Sequence, residues 1–206
     1  MPLYKHIIPN NHTHIYVWKI TETLDELSKG IRWSANSLER LSRMKSEVRR
    51  KGFASIRMLL QKAGYQDGDL YYTAGRKPIL KDGMYISISH SFGFSAIAIS
   101  RRPAGIDIEK KRDKIKRIAG KFAARELTYI DPAADEISLL TVLWGAKESL
   151  YKIYPEGGLS FNNHLYIEPF NPGEGKATGY ISKGKYREKY RIHFWYIQDY
   201  ILVYAG

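Results

Sequence analysis

The chain has 206 residues, 44% of them hydrophobic, with 8 prolines and no cysteine. Such a composition supports one large domain or two small ones with shared packing, and it excludes a disordered chain, disulfides, thiolate metal sites and a cysteine nucleophile. The net charge of +12, from 33 Lys and Arg against 21 Asp and Glu, points to a polyanionic partner: nucleic acid, anionic lipid, a phosphorylated cofactor or an acidic protein.

In chain order, His14 to Ile20 is rich in β-branched and aromatic residues and reads as a strand. A short helix through Leu24 and Leu27 follows and stops at Gly30. From Ser34 to Ala63 apolar residues recur at helical spacings with small slips, which predicts two helices or a bent one ending at Gly64. Leu70 to Thr73 reads as a short strand before the turn AGRKP, which presents Arg76 and Lys77. Two clear strands come next, YISIS (Tyr85 to Ser89) and SAIAIS (Ser95 to Ser100), and another segment runs from Gly105 to Glu109. A basic helical stretch leads from Asp113 into FAARELTYI, and a second long helix is predicted over Asp135 to Ile153. The remainder, FNNHLYIEPF, ATGYIS, YRIHFWYI and YILVYAG, reads as β.

Each half thus holds a long helix followed by a strand–turn–strand, SISHSFGFSAIAIS in the first and HFWYIQDYILVYAG in the second. The pattern predicts an α+β duplication of two similar halves, residues 1–103 and 104–206, each a small, mostly antiparallel sheet on a long helix. No apolar run approaches the roughly 20 residues that span a bilayer. The N-terminal segment also lacks the apolar stretch and cleavage site of a secretory leader, so a cytoplasmic protein away from membranes is expected.

In GIDIEK a strand puts Asp107 and Glu109 on one face, with Ile106 and Ile108 on the other. Two carboxylates side by side need a compensating cation, and hard oxygens suit Mg²⁺. The pattern fits equally an exposed edge whose acids pair with lysines. In WGAKESLYK a helix aligns Trp144, Glu148 and Lys152, with Lys147 adjacent. That arrangement also describes an ordinary solvated helix face. SISHS places Ser89 and His90 at a strand end, where imidazolium and hydroxyl can donate to phosphate or form unremarkable hydrogen bonds. Arg40, Arg43, Arg49, Arg50 and Arg57 line the first helical region, as a solvated face or as a cradle for phosphates.

Read together, R-x-x-R, RKP, SISHS, GIDIEK, FAARE and WGAKESLYK resemble the phosphopantetheinyl transferases of the surfactin-synthetase-activating type, over Ser34 to Phe161. The resemblance implies two halves related by a pseudo-twofold axis with coenzyme A between them, and a monomer. It implies Mg²⁺ on Asp107, Glu109 and Glu148, and coenzyme A contacts from Lys77, Ser89, His90, Lys147 and Lys152. Arg43 and Arg50 would hold the 3′-phosphate, with Arg57 as a substitute if the helix register slips. It also implies transfer of 4′-phosphopantetheine to a serine of an acidic carrier protein, with Glu148 as the base and Lys152 on the leaving phosphate. The alternatives are a Mg²⁺-dependent nuclease and a basic nucleic-acid-binding protein; the helix-turn-helix, zinc-finger and RNA-binding signatures are missing.

Overall fold

Most element boundaries follow from local capping and turn chemistry. The structure, a computed structural model, describes residues 3–73, 75, 77–131 and 135–206. Two units, residues 1–102 and 103–206, each gather their own core.

In the first unit the hairpin β1 (Leu3–Asn10) and β2 (Thr13–Lys19) leads into α1 (Leu24–Lys29). Thr23 Oγ1 accepts from the Glu26 N–H at 3.2 Å, and the Glu26 carboxylate accepts from the Thr23 N–H at 2.8 Å, a reciprocal box that starts the helix. The apolar repeat from Ser34 resolves into two helices, α2 (Ala35–Ser42) and α3 (Glu47–Lys62). The reason is that Ser34 and Ser46 each accept a backbone N–H and so each begin a helix of their own. Gly64, at φ +89°, then turns the chain in the left-handed region. Four strands complete the unit: β3 (Leu70–Tyr72), β4 (Pro78–Leu80), β5 (Tyr85–Ser91) and β6 (Phe94–Ser100). α3 lays Ala54, Ile56, Leu59 and Leu60 against Trp18, Leu80, Ile86, Ile97 and Ile99 of the sheet.

The second unit runs β7 (Gly105–Lys110), α4 (Lys114–Phe122), α5 (Glu136–Ile153), the single turn α6 (Phe161–His164), β8 (Leu165–Ile167), β9 (Lys176–Lys183), β10 (Tyr186–Ile197) and β11 (Tyr200–Ala205). Asp135 caps α5 by accepting from the Ser138 N–H at 3.2 Å. Leu140, Leu143 and Leu150 of α5 are 0% exposed, each contributing about 1.5–3 kcal/mol by burial. Apolar packing therefore holds this helix against the sheet, and its polar residues are left for other tasks.

Both sheets are antiparallel throughout and share one connectivity. Their strand orders are β1-β2-β6-β5-β4-β3 and β7-β11-β10-β9-β8. Apart from the extra strand β1, each unit pairs its opening strand with its last and fills in the rest as a meander. Each final hairpin turns on two residues, the first of them in the left-handed region: Phe92 at φ 46° and Gln198 at φ 55°. The two hairpins compared in the sequence are thus topological equivalents.

Four segments differ from the sequence reading. β1 and β4 are strands that the composition does not announce: β1 is an edge strand without regular alternation, and β4 has only three residues. FNNH is helical because Ser160 caps it, accepting from the Asn163 N–H at 3.3 Å, so the strand begins only at Leu165. The helical stretch from Asp113 ends at Phe122, and Glu126 then opens a separate turn with its side chain buried.

Candidate active site

β7 pairs with β11 in a register that sets Asp107 opposite Val203 and Glu109 opposite Ile201. Directly opposed residues share a face, and Val203 and Ile201 belong to the core beneath α5. Asp107 and Glu109 therefore point to the α5 side, while Ile106 and Ile108 point away and are fully buried. Asp107 is only 4% exposed.

Two glycines bring α5 down onto this strand. A Cβ on Gly105 would lie 1.9 Å from the Ser149 carbonyl oxygen, so only a residue without a side chain fits there. A Cβ on Gly145 would lie 2.7 Å from Val203 Cγ2 and 3.6 Å from Asp107 Oδ2. One turn on from Gly145, Ser149 Oγ donates to the Val203 carbonyl at 3.2 Å. The close crossing sets Glu148 and Lys152 over the strand acids. Lys152 Nζ donates to Asp107 Oδ1 at 2.8 Å and to the Ile106 carbonyl at 2.7 Å. Burial, then the charge of Asp107, pushes the Glu148 carboxyl up to about 7, with Lys152 opposing and Glu109 adding to the rise.

Three hard carboxylates suit a divalent cation, and their mutual repulsion, visible at Glu148, is what such a cation relieves. Among the described residues no three acids or histidines stand close enough, as the side chains lie, to share one ion. Lys152 already occupies one oxygen of Asp107.

The profile of the 4′-phosphopantetheinyl transferase superfamily matches residues 103–205, half of the chain. The chain belongs to this superfamily. It is also similar to enterobactin synthase component D of Salmonella typhi, 33% identical over 92 residues. That alignment covers 39% of this chain and 36% of the relative, so the chain spans little more than a third of the curated protein it matches.

The other sequence-predicted residues fall in varied places. Lys147, grouped in the sequence with the coenzyme A contacts, is 0% exposed. Its Nζ meets Glu126 Oε1 at 2.8 Å and the carbonyls of Phe122 and Phe161 at 2.7 and 3.0 Å. Three oxygens and full burial give this ammonium an internal partner. Glu126, the acid of FAARE, also accepts from the Ile167 N–H at 3.1 Å through Oε1, a role the sequence does not announce. Its acidic type within a motif, one helix away from a motif lysine, was the available signal.

In the first unit Arg57 is 3% exposed and bound to Asp67 at 2.9 Å, which ties it into the protein. Arg43 is exposed and pairs with Glu39 one turn back. Arg50 is half-buried in α3. Two residues along, Gly52 makes room for the His90 ring: a Cβ there would come 2.9 Å from His90 Nδ1. Ser89 is buried beside it in the chain. Lys77 closes a turn, its N–H donating to Thr73 Oγ1 at 3.1 Å, and burial lowers the affinity of its ammonium for the proton. Arg76 lies outside the described residues.

Proposed function

We propose that the protein transfers 4′-phosphopantetheine from coenzyme A to a serine hydroxyl of an apo carrier protein, releasing adenosine 3′,5′-bisphosphate. The observation that carries this reading is the crossing of β7 and α5, where Gly105 and Gly145 hold Asp107, Glu148 and Lys152 together. The superfamily match covers that unit.

Asp107, Glu109 and Glu148 are the residues that would hold Mg²⁺, which when bound neutralises phosphate charge and aligns the reacting oxygens. Lys152, on its flexible stem, is assigned to the pyrophosphate, where its charge stabilises the leaving phosphate. The serine oxygen forms a bond to the β-phosphorus as the bond to the bridging oxygen of the α-phosphate breaks. The serine proton goes to the Glu148 carboxylate, directly or through a bound water. Lys77, Ser89 and His90 are assigned to the nucleotide and phosphates, and Arg43 and Arg50 to the 3′-phosphate, as the family pattern implies. The cytoplasm and the monomeric state belong to the same reading. No helix among the described residues is long and apolar enough to cross a membrane.

The deciding experiment incubates the protein with coenzyme A, Mg²⁺ and an apo acyl carrier protein, with mass spectrometry of the carrier. A phosphopantetheine adduct on serine, lost with Glu148→Gln, is expected. Cleaved nucleic acid with no adduct would mark the chain as a nuclease, and neither product would mark it as a binding protein.

A further inference from the structure

The hairpin β1–β2 brings together two histidines that stand eight residues apart in the chain. His6 is paired with Tyr16, and His14 lies two residues from Tyr16 on the same face of the sheet. Both histidines are exposed, and His6 Nε2 comes 3.1 Å from His14 Nδ1. The ring planes are within 19° of each other, with centroids 5.3 Å apart. The centroid separation exceeds the nitrogen separation by two ring radii, so the rings meet edge to edge, each turning one nitrogen to the other. The Tyr16 ring lies flat against His6, with centroids 4.4 Å apart and planes 8° apart, and so holds that imidazole in its plane.

This spacing is what one metal ion needs. Two nitrogens each about 2.0–2.1 Å from an ion stand about 2.9–3.3 Å apart for angles between square and tetrahedral. The observed 3.1 Å falls inside that range. Neutral imidazoles bind by donating lone pairs, so on a protein of charge +12 the pair needs no carboxylate beside it. Imidazole suits Cu²⁺ and Zn²⁺, whereas Mg²⁺ prefers oxygen. Desolvation, then the charge of His14, lowers the proton affinity of His6, which leaves its nitrogen available. Among the described residues no third histidine or acid stands close enough to share the ion, so water fills its other positions.

The location gives such an ion a task. β1 is an edge strand, paired on one side only, and its register with β2 shifts between Leu3 and Lys5 and again between Ile7 and Asn10. His6 lies in the short regular stretch between these irregularities. A bridge from there to His14 crosses the strand pair and pins its register.

We propose that His6 and His14 form a two-histidine site for a divalent transition-metal ion, Cu²⁺ or Zn²⁺, that ties β1 to β2. The ion takes the place of the proton between the rings. That proton moves to the far nitrogen of its own ring, so both imidazoles stay neutral and none is released. The site does not depend on the transferase reading.

The test titrates the chelator-treated full chain with Cu²⁺ and with Zn²⁺ by calorimetry, in excess Mg²⁺. Uptake of one ion is expected, with two nitrogen donors in the electron paramagnetic resonance spectrum of the Cu²⁺ form. His6→Ala and His14→Ala should each weaken binding about tenfold or more. Zn²⁺ should raise the Tm of the wild type and leave that of His6→Ala/His14→Ala where it is. Undiminished uptake, or an equal rise in Tm, in the double variant overturns the site. Binding that survives in the double variant and is lost with Asp107→Asn assigns the ion to the carboxylates of the second unit and overturns it too.

Discussion

Glu148 and Lys147 are neighbours in sequence and face opposite electrostatic problems. The Glu148 carboxyl is raised to about 7, so in metal-free protein the folded state retains a proton that the unfolded chain has released above its ordinary value of 4.5. Where the folded state binds more protons, stability falls as pH rises. The metal-free protein should therefore lose about 2–3 kcal/mol between pH 4.5 and pH 7 from this group, and Glu148→Gln should remove that slope. Urea unfolding in chelator at a series of pH values checks it; parallel profiles for the two proteins would contradict the assignment. Lys147 has the inverse predicament, a buried cation held by Glu126. Lys147→Met leaves the carboxylate buried with the Ile167 N–H and should cost about 3–5 kcal/mol, whereas Lys147→Met/Glu126→Gln should recover much of that. A double-mutant cycle by urea unfolding measures the coupling, and additive effects would argue against the pair. The sequence could not separate Lys147 from Lys152, because both flank the same glutamate on one helix. Which lysine turns inward depends on Phe122, Glu126 and Phe161, all supplied by distant segments.

The crossing of β7 and α5 is set by residues that have no side chain. Gly105→Ala would drive a methyl into a backbone carbonyl, which can move only with its helix. Gly145→Ala meets a valine methyl, which can shift with its rotamer. Gly105→Ala should therefore cost more than Gly145→Ala, with about 1–3 kcal/mol for overpacking as the scale. If Asp107, Glu109 and Glu148 hold Mg²⁺ as proposed, it should also reduce the rise in Tm expected from Mg²⁺. Thermal unfolding with and without Mg²⁺ tests both, and an intact Mg²⁺ shift in Gly105→Ala would detach the crossing from the metal. At this scale much was legible. Period two set Asp107 and Glu109 on one face, and helical period put Glu148 and Lys152 in one stripe, as the pairing with β11 and the Lys152–Asp107 contact bear out. The slips between Ser34 and Ala63 marked a real break, because Ser46 is a cap as well as a polar residue. The strand β1 and the helical turn at Phe161 were not legible: pairing to β2 creates the first and a single serine cap the second.

For the whole molecule, the +12 charge acts at a distance. Over a Debye length of about 8–10 Å it should attract an acidic acceptor, so kcat/KM should fall with salt while kcat changes little. Stopped-time assays from low to physiological ionic strength check this, and flat kinetics would rule out steering. The duplicated connectivity was legible only as paired hairpins; the matching strand orders came from contacts that no local pattern encodes. That connectivity also dictates an order of events at the ribosome. β7, which bears Asp107 and Glu109, lies at the edge of its sheet and takes its sheet hydrogen bonds from β11, the last strand of the unit. The acidic strand is thus made early and waits, unpaired, through the synthesis of everything between. Such long-range pairing is slow to form, and a nascent chain stalled before Tyr200 has acids with no strand to lie against. Asp107 and Glu109 meet their partner strand only when translation of the unit is complete, so an unfinished chain carries the motif without the strand that orders it.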